Sequence, residues 1–320
     1  MTETLVTTRR RRGRHPQPPP AELVAADQAI RAVVPRWHFE MLADRERNAA
    51  FETAIARTVS PGDLVLDIGT GAGLLALLAA RHGAEHVVSC EGVDPVADVA
   101  ERVAARNGYD DRISVVCKWS TDVSVGVDLP RRADVLVTEV IDCGLVGEGI
   151  VDTIRHAREH LLAPDARIVP ARARLYAQLL ESRQLEGLNR VRHVAGFDLS
   201  DFNRLSSLAY FPVRLAQIAY RPLGAPVEAL AFEFEEGSFP DERTSVTFTP
   251  VAAGVAHAVA LWFRVELAPG VVLSNEPTNT RSHWEQAVQC LPRPVSVRAG
   301  RPVELTLWQQ GRHLLVEHVA

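Results

Sequence analysis

The amino-acid sequence predicts an α/β fold in two parts, a Rossmann-like parallel sheet followed by an antiparallel β-barrel-like domain. Up to about residue 170, short apolar runs alternate with stretches of helical spacing, the pattern of a parallel sheet covered by helices. Beyond that point apolar residues recur with a period of two, and turn signals such as Pro269-Gly270 separate the runs. A chain of 320 residues is long enough for two domains.

Each element is expected where breaks bound an apolar run or a helical spacing. Residues 1–20 are predicted to be a disordered basic and proline-rich tail, and residues 21–60 to form helices, at 21–34 and 41–59. The parallel-sheet domain is expected at 61–169, with strands and helices at 64–68, 74–82, 86–90, 95–107, 113–117, 135–138 and 153–162. The antiparallel domain is expected at 170–320, with strands at 174–180, 229–235, 245–249, 258–266, 286–291, 303–309 and 314–319.

Composition excludes several classes of protein. The net charge of −5 argues against a general nucleic-acid binder, and no apolar run reaches the roughly 20 residues that span a bilayer. Arg9 to Arg12 precede a proline-rich stretch instead of an apolar one, so a cytoplasmic location is predicted. The four cysteines lack metal-ligand spacing, so no metal site is expected. Lys118 is the only lysine among 35 basic residues, a bias typical of GC-rich bacterial genomes.

The most informative stretch is the glycine-rich turn after the first expected strand. The run Leu-Val-Leu-Asp-Ile at 64–68 leads into Gly69, Gly71 and Gly73, which indicates a buried strand turning sharply into a helix. Asp67, near the strand end, is placed to accept hydrogen bonds from a ligand there. The next expected strand closes at Glu91, where a carboxylate suits the two hydroxyls of a ribose.

This turn differs from the dinucleotide-binding fingerprint. Its spacing is Gly-x-Gly-x-Gly and the acidic Asp67 precedes it, so a pyrophosphate would be repelled while a cationic, amino-acid-bearing cofactor would be attracted. The pattern favours S-adenosyl-L-methionine, with S-adenosyl-L-homocysteine as the product, in a class I methyltransferase domain. Nicotinamide and flavin binding stay open as alternatives. A base-modifying methyltransferase is disfavoured, because Thr138-Glu139-Val140 stands where an Asn/Asp-Pro-Pro-Tyr/Phe site would be expected.

Two glutamates form a second candidate site at the same edge of the sheet. Glu139 ends the strand expected at 135–138, and Glu148 follows nine positions later, across a loop that contains Gly144 and Gly147. Because ligands bind at the carboxyl ends of parallel strands, we expect Glu139 beside the cofactor turn, with the glycines letting Glu148 return towards it. Two converging carboxylates repel unless one is protonated or a cation bridges them, and a guanidinium matches that position well.

With these motifs in this order, the chain resembles the protein arginine N-methyltransferases over essentially everything after the tail. Residues 65–73 resemble the cofactor motif of that family, and residues 138–149 resemble its double-glutamate loop, with the spacing kept. Residues 282–284, Ser-His-Trp, resemble its Thr-His-Trp loop, and residues 41–47 resemble the helix that closes over the cofactor. The local sequence most resembles that of the branch of the family that stops at monomethylarginine.

The resemblance implies roles for individual residues, with the helices at 21–60 covering the cofactor. The cofactor-binding residues would be His38, Met41, Arg47, Asp67, Gly69, Gly71, Gly73, Glu91, Ser120 and Thr121. Glu139, Glu148 and Trp284 would bind the substrate. Catalysis would fall to the same two glutamates and to an Asp44–His283 pair that helps proton loss. The resemblance also implies a homodimer, formed through a short arm near 195–215.

Two substrates stay open, free L-arginine and arginine within a protein or peptide. No tyrosine precedes Tyr109, and Thr121 stands at the adenine position where the family often has a glutamate. Together with the bacterial composition, these departures favour free L-arginine, methylated to N-omega-methyl-L-arginine as in bacterial natural product biosynthesis of the streptozotocin type. A non-catalytic relative is the remote alternative. No nucleic-acid or membrane partner is expected.

Overall fold

The computed structural model describes residues 28, 31 and 34–317. The tail expected at 1–20, most of the helix expected at 21–34 and the end of the last expected strand therefore lie outside the described residues. Within the described part of the chain, no helix is long and apolar enough to cross a membrane.

Within residues 34–63, two helices, α1 (Trp37–Ala43) and α2 (Arg45–Thr58), precede the first strand. The prediction of a single helix at 41–59 is wrong, because Asp44 divides it. The Asp44 side chain accepts a hydrogen bond from the Arg47 backbone N–H at 3.0 Å and so caps the start of α2. Asp44 itself has an extended backbone conformation, with φ −72° and ψ 99°, and so lies outside both helices.

The first domain consists of alternating strands and helices. They are β1 (Leu64–Ile68), α3 (Leu74–Arg81), β2 (His86–Cys90), α4 (Asp94–Arg106), β3 (Ile113–Val116), β4 (Ala133–Thr138), α5 (Ile150–His160) and β5 (Leu162–Val169). The strands form one sheet in the order β3-β2-β1-β4-β5, and every neighbouring pair is parallel. All five residues of β1 are buried, as expected for a central strand covered on both faces. The predicted parallel α/β domain is therefore confirmed.

One strand of this sheet was not indicated by the sequence. The helix expected at 153–162 begins earlier, at Ile150, and ends at His160, and β5 starts two residues later. The first half of β5 carries Pro164 and Asp165 on an exposed edge, so its apolar pattern is broken. Burial is continuous only at its end, at Ile168 and Val169.

The second domain is antiparallel. Its strands are β6 (Arg172–Glu181), β7 (His193–Val194), β8 (Phe197–Asp198), β9 (Phe211–Val213), β10 (Arg221–Pro222), β11 (Val227–Phe232), β12 (Arg243–Phe248), β13 (Gly254–Ala268), β14 (Val271–Ser274), β15 (Gln286–Val297), β16 (Val303–Gln310) and β17 (His313–Glu317). One helix, α6 (Arg183–Asn189), follows β6, and short 3-10 helices lie at Ser200–Leu205 and Leu215–Gln217. A further 3-10 helix, Ser120–Asp122, belongs to the first domain and follows β3.

Two antiparallel sheets make this domain barrel-like. A seven-stranded sheet follows the path β10-β6-β13-β15-β9, with β11 on β6 and β14 on β13, and a three-stranded sheet has the order β12-β16-β17. Gln289 of β15 links the sheets, because its carboxamide exchanges two hydrogen bonds of 2.7 Å with the backbone of Val316 in β17. The expected antiparallel, barrel-like second domain is confirmed.

Polar side chains join the two domains close to the expected site. The Trp284 indole Nε1–H donates to the carbonyl of Ile141 at 2.9 Å, and the Asn275 side chain donates to the carbonyl of Cys143 at 3.0 Å. Both acceptors belong to the loop that follows β4. The second domain therefore holds the loop in which Glu148 lies.

Candidate active site

The glycine-rich turn is present where the sequence predicts it, between β1 and α3. Gly69, Gly71 and Gly73 have φ angles of 79°, 53° and 82°, in the left-handed region that favours glycine. A Cβ atom on Gly69 would lie 2.7 Å from Cγ1 of Val140, so a side chain there would force Val140 aside. The conformation of the turn therefore depends on these residues being glycine.

Asp67 is buried at the carboxyl end of β1 with one carboxylate oxygen unused. Its Oδ2 accepts a hydrogen bond from the Ser89 hydroxyl at 2.5 Å, whereas Oδ1 has no partner among the described residues. Burial raises the pKa of Asp67 to about 6, against the opposing effect of the Ser89 and Thr70 hydroxyls. An unpaired buried acceptor costs about 1–3 kcal/mol, so this oxygen is suited to a bound group that donates hydrogen bonds.

Glu91 is fixed by backbone donors just beyond β2. Its two oxygens accept hydrogen bonds from the N–H of Gly71 at 3.1 Å and from the N–H of Val93 at 3.0 Å. Each carboxylate oxygen keeps a second lone pair for a ligand hydroxyl. The structure thus places Glu91 directly beside the glycine-rich turn.

The expected adenine position lies after β3. Ser120 and Thr121 begin the 3-10 helix there, and neither side chain bonds to a described residue. The preceding Trp119 lies over the backbone of Gly92, where an added Cβ would be 2.6 Å from Cδ2 of the indole. The sequence analysis does not predict this contact. Its only signals are the glycine directly after Glu91 and the tryptophan shortly after the next strand.

Asp44 and His283 connect α2 with the loop before β15. Asp44 Oδ2 accepts hydrogen bonds from the His283 backbone N–H and from ring atom Nδ1, each at 2.9 Å. Burial opposes ionisation of Asp44, but the hydrogen bonds from Arg47 and His283 outweigh it and lower its pKa. Burial lowers the pKa of His283, so the ring is neutral near pH 7, with its Nδ1 proton directed at Asp44 and Nε2 left as an acceptor.

Arg47 lies at the centre of the charged groups. Its Nη2 forms an ion pair of 2.5 Å with Glu139 Oε2, and only 3% and 5% of the two side chains are exposed. Its Nη1 donates to the Asn48 side chain at 2.8 Å, its guanidinium carbon lies 5.1 Å from the centre of the Phe51 ring, and its Nε has no partner among the described residues. The guanidinium therefore has donor capacity left for a ligand.

Glu148 is mostly buried and makes no hydrogen bond or ion pair with any described residue. Burial, together with the negative charges of Glu139 and Asp142, raises its pKa to about 8, and the cation of Arg312 opposes this shift. The loop therefore does return Glu148 to the neighbourhood of Glu139. With its pKa at about 8, Glu148 is protonated at neutral pH, and burial is the larger cause, followed by the negative charge of Glu139.

The conformation of the double-glutamate loop depends on Asp142, a residue that the sequence motifs do not single out. Its Oδ1 accepts hydrogen bonds from the N–H of Gly144 at 3.1 Å and of Gly147 at 2.8 Å, and its Oδ2 accepts from the Tyr210 hydroxyl at 2.6 Å. A Cβ on Gly147 would lie 2.3 Å from Asp142 Oδ2 and 2.7 Å from the Tyr210 oxygen. The glycines at these positions make room for a hydrogen-bonded network.

The remaining predicted residues surround this centre. Trp284 is buried, meets the Phe263 ring edge-on with ring centres 5.2 Å apart, and lies 4.0 Å from the His283 ring by the same measure. Met41 is buried in α1, whereas His38 is partly exposed and stacks on Trp37 at 3.9 Å. Within the described residues, no group of acidic, histidine or cysteine side chains is arranged to hold a metal ion.

Two protein-family models match the chain. Residues 171–314 match the arginine methyltransferase oligomerization subdomain, and residues 52–160 match ribosomal protein L11 methyltransferase. The two matches coincide with the antiparallel and parallel domains.

Individual relatives cover more of the chain. It is 42% identical over 293 residues to an Arginine N(omega)-methyltransferase of Streptomyces achromogenes subsp. streptozoticus, covering 91% of this chain and 81% of that protein. It is 34% identical over 312 residues to Protein arginine N-methyltransferase 7 of Drosophila yakuba, covering 83% of this chain but only 45% of that protein. A solved structure, the Trypanosoma brucei PRMT1 enzyme-prozyme heterotetrameric complex with AdoHcy, superposes with a TM-score of 0.74 at 24% identity, covering 87% of this chain and 90% of that one.

Proposed function

The chain belongs to the protein arginine N-methyltransferase family, and from this premise we propose that it methylates free L-arginine, using S-adenosyl-L-methionine, to give N-omega-methyl-L-arginine. The observation that carries the proposal is Glu148, a partly buried acid beside Glu139 that has no partner among the described residues. Such a group is completed by a planar cation, since a guanidinium supplies paired donors to two carboxylates.

The residues present fit the cofactor. Asp67 Oδ1 and Arg47 Nε are both buried without partners among the described residues, and the two side chains are near enough to affect each other electrostatically. A negative and a positive group of this kind suit the ammonium and the carboxylate of the methionine part, and Glu91 suits the ribose hydroxyls. When bound, S-adenosyl-L-methionine supplies an electrophilic methyl group on a sulfonium.

The two glutamates make the substrate nitrogen reactive. A guanidinium has a pKa above about 12, and its lone pairs are delocalised. Glu139 and Glu148, both ionised, would hold one edge of the guanidinium and draw its positive charge towards them, which leaves more lone-pair character on the opposite nitrogen. Orientation and electrostatic stabilisation are then the main sources of rate enhancement.

Methylation leaves a nitrogen that must lose a proton. His283 is neutral because burial lowers its pKa, and its Nδ1–H is directed at Asp44, so its Nε2 is the acceptor atom. Asp44 stabilises the imidazolium that forms when Nε2 takes up the proton. We assign the Asp44–His283 pair to this step.

Two observations support free arginine as the substrate. The Streptomyces relative that covers most of the chain is named an arginine methyltransferase, without reference to protein. The chain also has no tyrosine before Tyr109, so in α1 Trp37 and Phe39 would provide the cover that a tyrosine-containing helix usually provides in the family. A role in bacterial natural product biosynthesis, in the cytoplasm, is part of the same proposal.

A homodimer is also proposed. The segment around β7, β8 and the following 3-10 helix exposes a run of large apolar side chains, namely Val194, Phe197, Leu199, Phe202, Leu205 and Leu208. Exposed apolar residues clustered in this way are typical of an interface. The match of residues 171–314 to an oligomerization subdomain supports the same conclusion, and the ranges of the two family matches support a domain boundary near residue 170.

A direct comparison of the two substrates tests the proposal. The purified protein is incubated with methyl-labelled S-adenosyl-L-methionine and with either free L-arginine or a Gly-Arg-rich peptide, and products are separated by chromatography. We expect label in N-omega-methyl-L-arginine and little in the peptide. Label in the peptide alone would reject free arginine as the substrate, and label in neither would favour a non-catalytic relative.

A further inference from the structure

A cationic side chain lies beside the double-glutamate site on a part of the fold that the mechanism does not use. Arg312 is in the tight turn between β16 and β17, and its side chain crosses the backbone of Gly149, the residue after Glu148. A Cβ on Gly149 would lie 2.9 Å from Arg312 Nε and 3.6 Å from its guanidinium carbon. Gly149 has a φ of 95°, so this position both requires glycine and makes room for the arginine.

The Arg312 guanidinium forms no ion pair with a described residue. Its side chain is exposed, and no described carboxylate oxygen lies within 4.0 Å of its nitrogens. Asp152, which faces the same turn near Gly311, is also outside ion-pair distance. The charge nevertheless reaches the site, because Arg312 lowers the pKa of Glu148 against the larger effects of burial and of Glu139. The Arg312 guanidinium therefore lies next to the pocket that is proposed to bind the substrate guanidinium.

A positive charge at this place is unfavourable for one class of substrate and favourable for another. A peptide rich in arginine brings further positive charge to the pocket, and Arg312 repels it. Free arginine brings a carboxylate at the end of the side chain remote from the guanidinium, and an arginine side chain binds a carboxylate with paired donors. The same residue therefore distinguishes the two substrates that the catalytic glutamates treat alike.

We propose that Arg312 binds the α-carboxylate of free L-arginine while Glu139 and Glu148 hold its guanidinium, and that Arg312 thereby selects the free amino acid over arginine-rich peptides. This inference rests on the proposed function and deepens it, since it names a residue that determines specificity. Arg312 is a substrate-binding residue in this scheme, and it takes no part in methyl transfer.

The test compares Arg312→Gln with wild type on two ligands that differ only in the carboxylate. L-Arginine is the substrate, and agmatine, its decarboxylated form, is measured as a competitive inhibitor, so that a value is obtained whether or not agmatine is methylated. Loss of a charged hydrogen-bonding partner is expected to raise KM for arginine roughly tenfold or more. Because chemistry occurs at the other end of the molecule, kcat should stay within about twofold and the Ki of agmatine should not change.

Arg301→Gln is the matched control. Arg301 is also exposed and lies just before β16, whereas Arg312 lies just after it, so the eight residues of that strand separate them by about 26 Å. The KM for arginine and the Ki of agmatine should both stay unchanged in this control. Thermal melting and S-adenosyl-L-homocysteine affinity, measured on both variants, establish that the fold and the cofactor site are intact.

The outcomes separate this inference from the proposed function. If wild type methylates free arginine and Arg312→Gln changes KM for arginine and Ki for agmatine equally, or changes neither, the carboxylate role of Arg312 is rejected and the proposed function stands. If wild type methylates only the peptide, both are rejected. Arg312→Glu gives a further check, since reversing the charge should lower the KM of a Gly-Arg-rich peptide relative to that of free arginine.

Discussion

Arg47 and Glu139 form a buried ion pair across the site, with 2.5 Å between Nη2 and Oε2. Glu139 is therefore neutralised from the cofactor side before any substrate arrives. Glu148 has no such partner among the described residues, and its pKa is raised to about 8. The two glutamates that the sequence suggests are equivalent are thus different: Glu139 is paired with a cation of the protein, whereas Glu148 has no such partner among the described residues.

The first prediction concerns turnover. Glu148→Gln keeps the shape of the side chain but removes the charge that faces the guanidinium, so we expect kcat to fall roughly a hundredfold or more, as for other lost transition-state partners. Isothermal titration with S-adenosyl-L-homocysteine should give a near-normal affinity. Glu159→Gln, an exposed position at the end of α5, is the control. Near-normal turnover in Glu148→Gln would rule out the clamp.

The second prediction concerns pH. Binding of a guanidinium requires ionised Glu148, so kcat/KM for arginine should rise about tenfold per pH unit and level off near pH 8, the pKa of this acid in the free enzyme. The substrate guanidinium stays protonated throughout, since its pKa exceeds about 12. A profile that is flat from about pH 6 to about pH 8 would contradict the assignment.

The same acid predicts a stability trend. Folding raises the pKa of Glu148 from 4.5 to about 8, so its contribution to stability is present below pH 4.5 and is lost as pH rises through about 8. Wild-type Tm without substrate should therefore fall relative to that of Glu148→Gln over this interval. Saturating arginine should remove the difference, because it stabilises the ionised form. Parallel Tm curves without arginine would show that Glu148 does not titrate in this range.

The fourth prediction concerns Asp44, which caps α2 and accepts two hydrogen bonds from His283. Asp44→Asn presents an amide N–H to donors and is expected to lower the free energy of unfolding by about 2–3 kcal/mol. Because folding lowers the pKa of Asp44 below 3.8, its stabilisation is present above pH 3.8 and is lost as pH falls further. Urea titration measures the free energy of unfolding of this variant and of the control Asp98→Asn, which lies on the exposed face of α4. Equal midpoints for the two variants would refute the role.

The fifth prediction concerns assembly. Phe202 is 66% exposed within the arm, so Phe202→Glu should place a charge in the proposed interface and convert a dimer into a monomer. Val251→Glu, at an equally exposed valine between β12 and β13, should leave the mass unchanged. Multi-angle light scattering distinguishes the two masses. A wild-type protein that is already monomeric at micromolar concentration would reject the proposed dimer.

The parts of the fold predicted correctly are those in which one local pattern dominates. Strands β1 and β2 are short, mostly apolar runs bounded by turn residues, and their expected bounds agree with the structure. β5 was not indicated because Pro164 and Asp165 interrupt its pattern, and the break in the first helix was not indicated because helical spacing continues across Asp44. In both cases one or two residues override the periodicity around them.

The candidate site shows the same division. The acidic residues at strand ends are found from the sequence, since the topology of a parallel sheet brings them to one edge. Tyr210 is 68 positions from Asp142 and Arg312 is 164 positions from Glu148, and no motif connects either pair. Such contacts are set by the packing of the second domain against the loop after β4. They become visible only when that packing is known.

The hydrogen bond from Tyr210 to Asp142 has one more consequence. The exposed apolar run of the arm ends at Leu208, two residues before the phenol that holds the catalytic loop in shape. If two subunits pair through that run, the same short segment would form the interface and, through Tyr210, support the conformation of the loop that contains Asp142. A newly made chain would then become fully active only after it meets a second copy, and specific activity, which is constant on dilution for a monomeric enzyme, would fall as the protein is diluted.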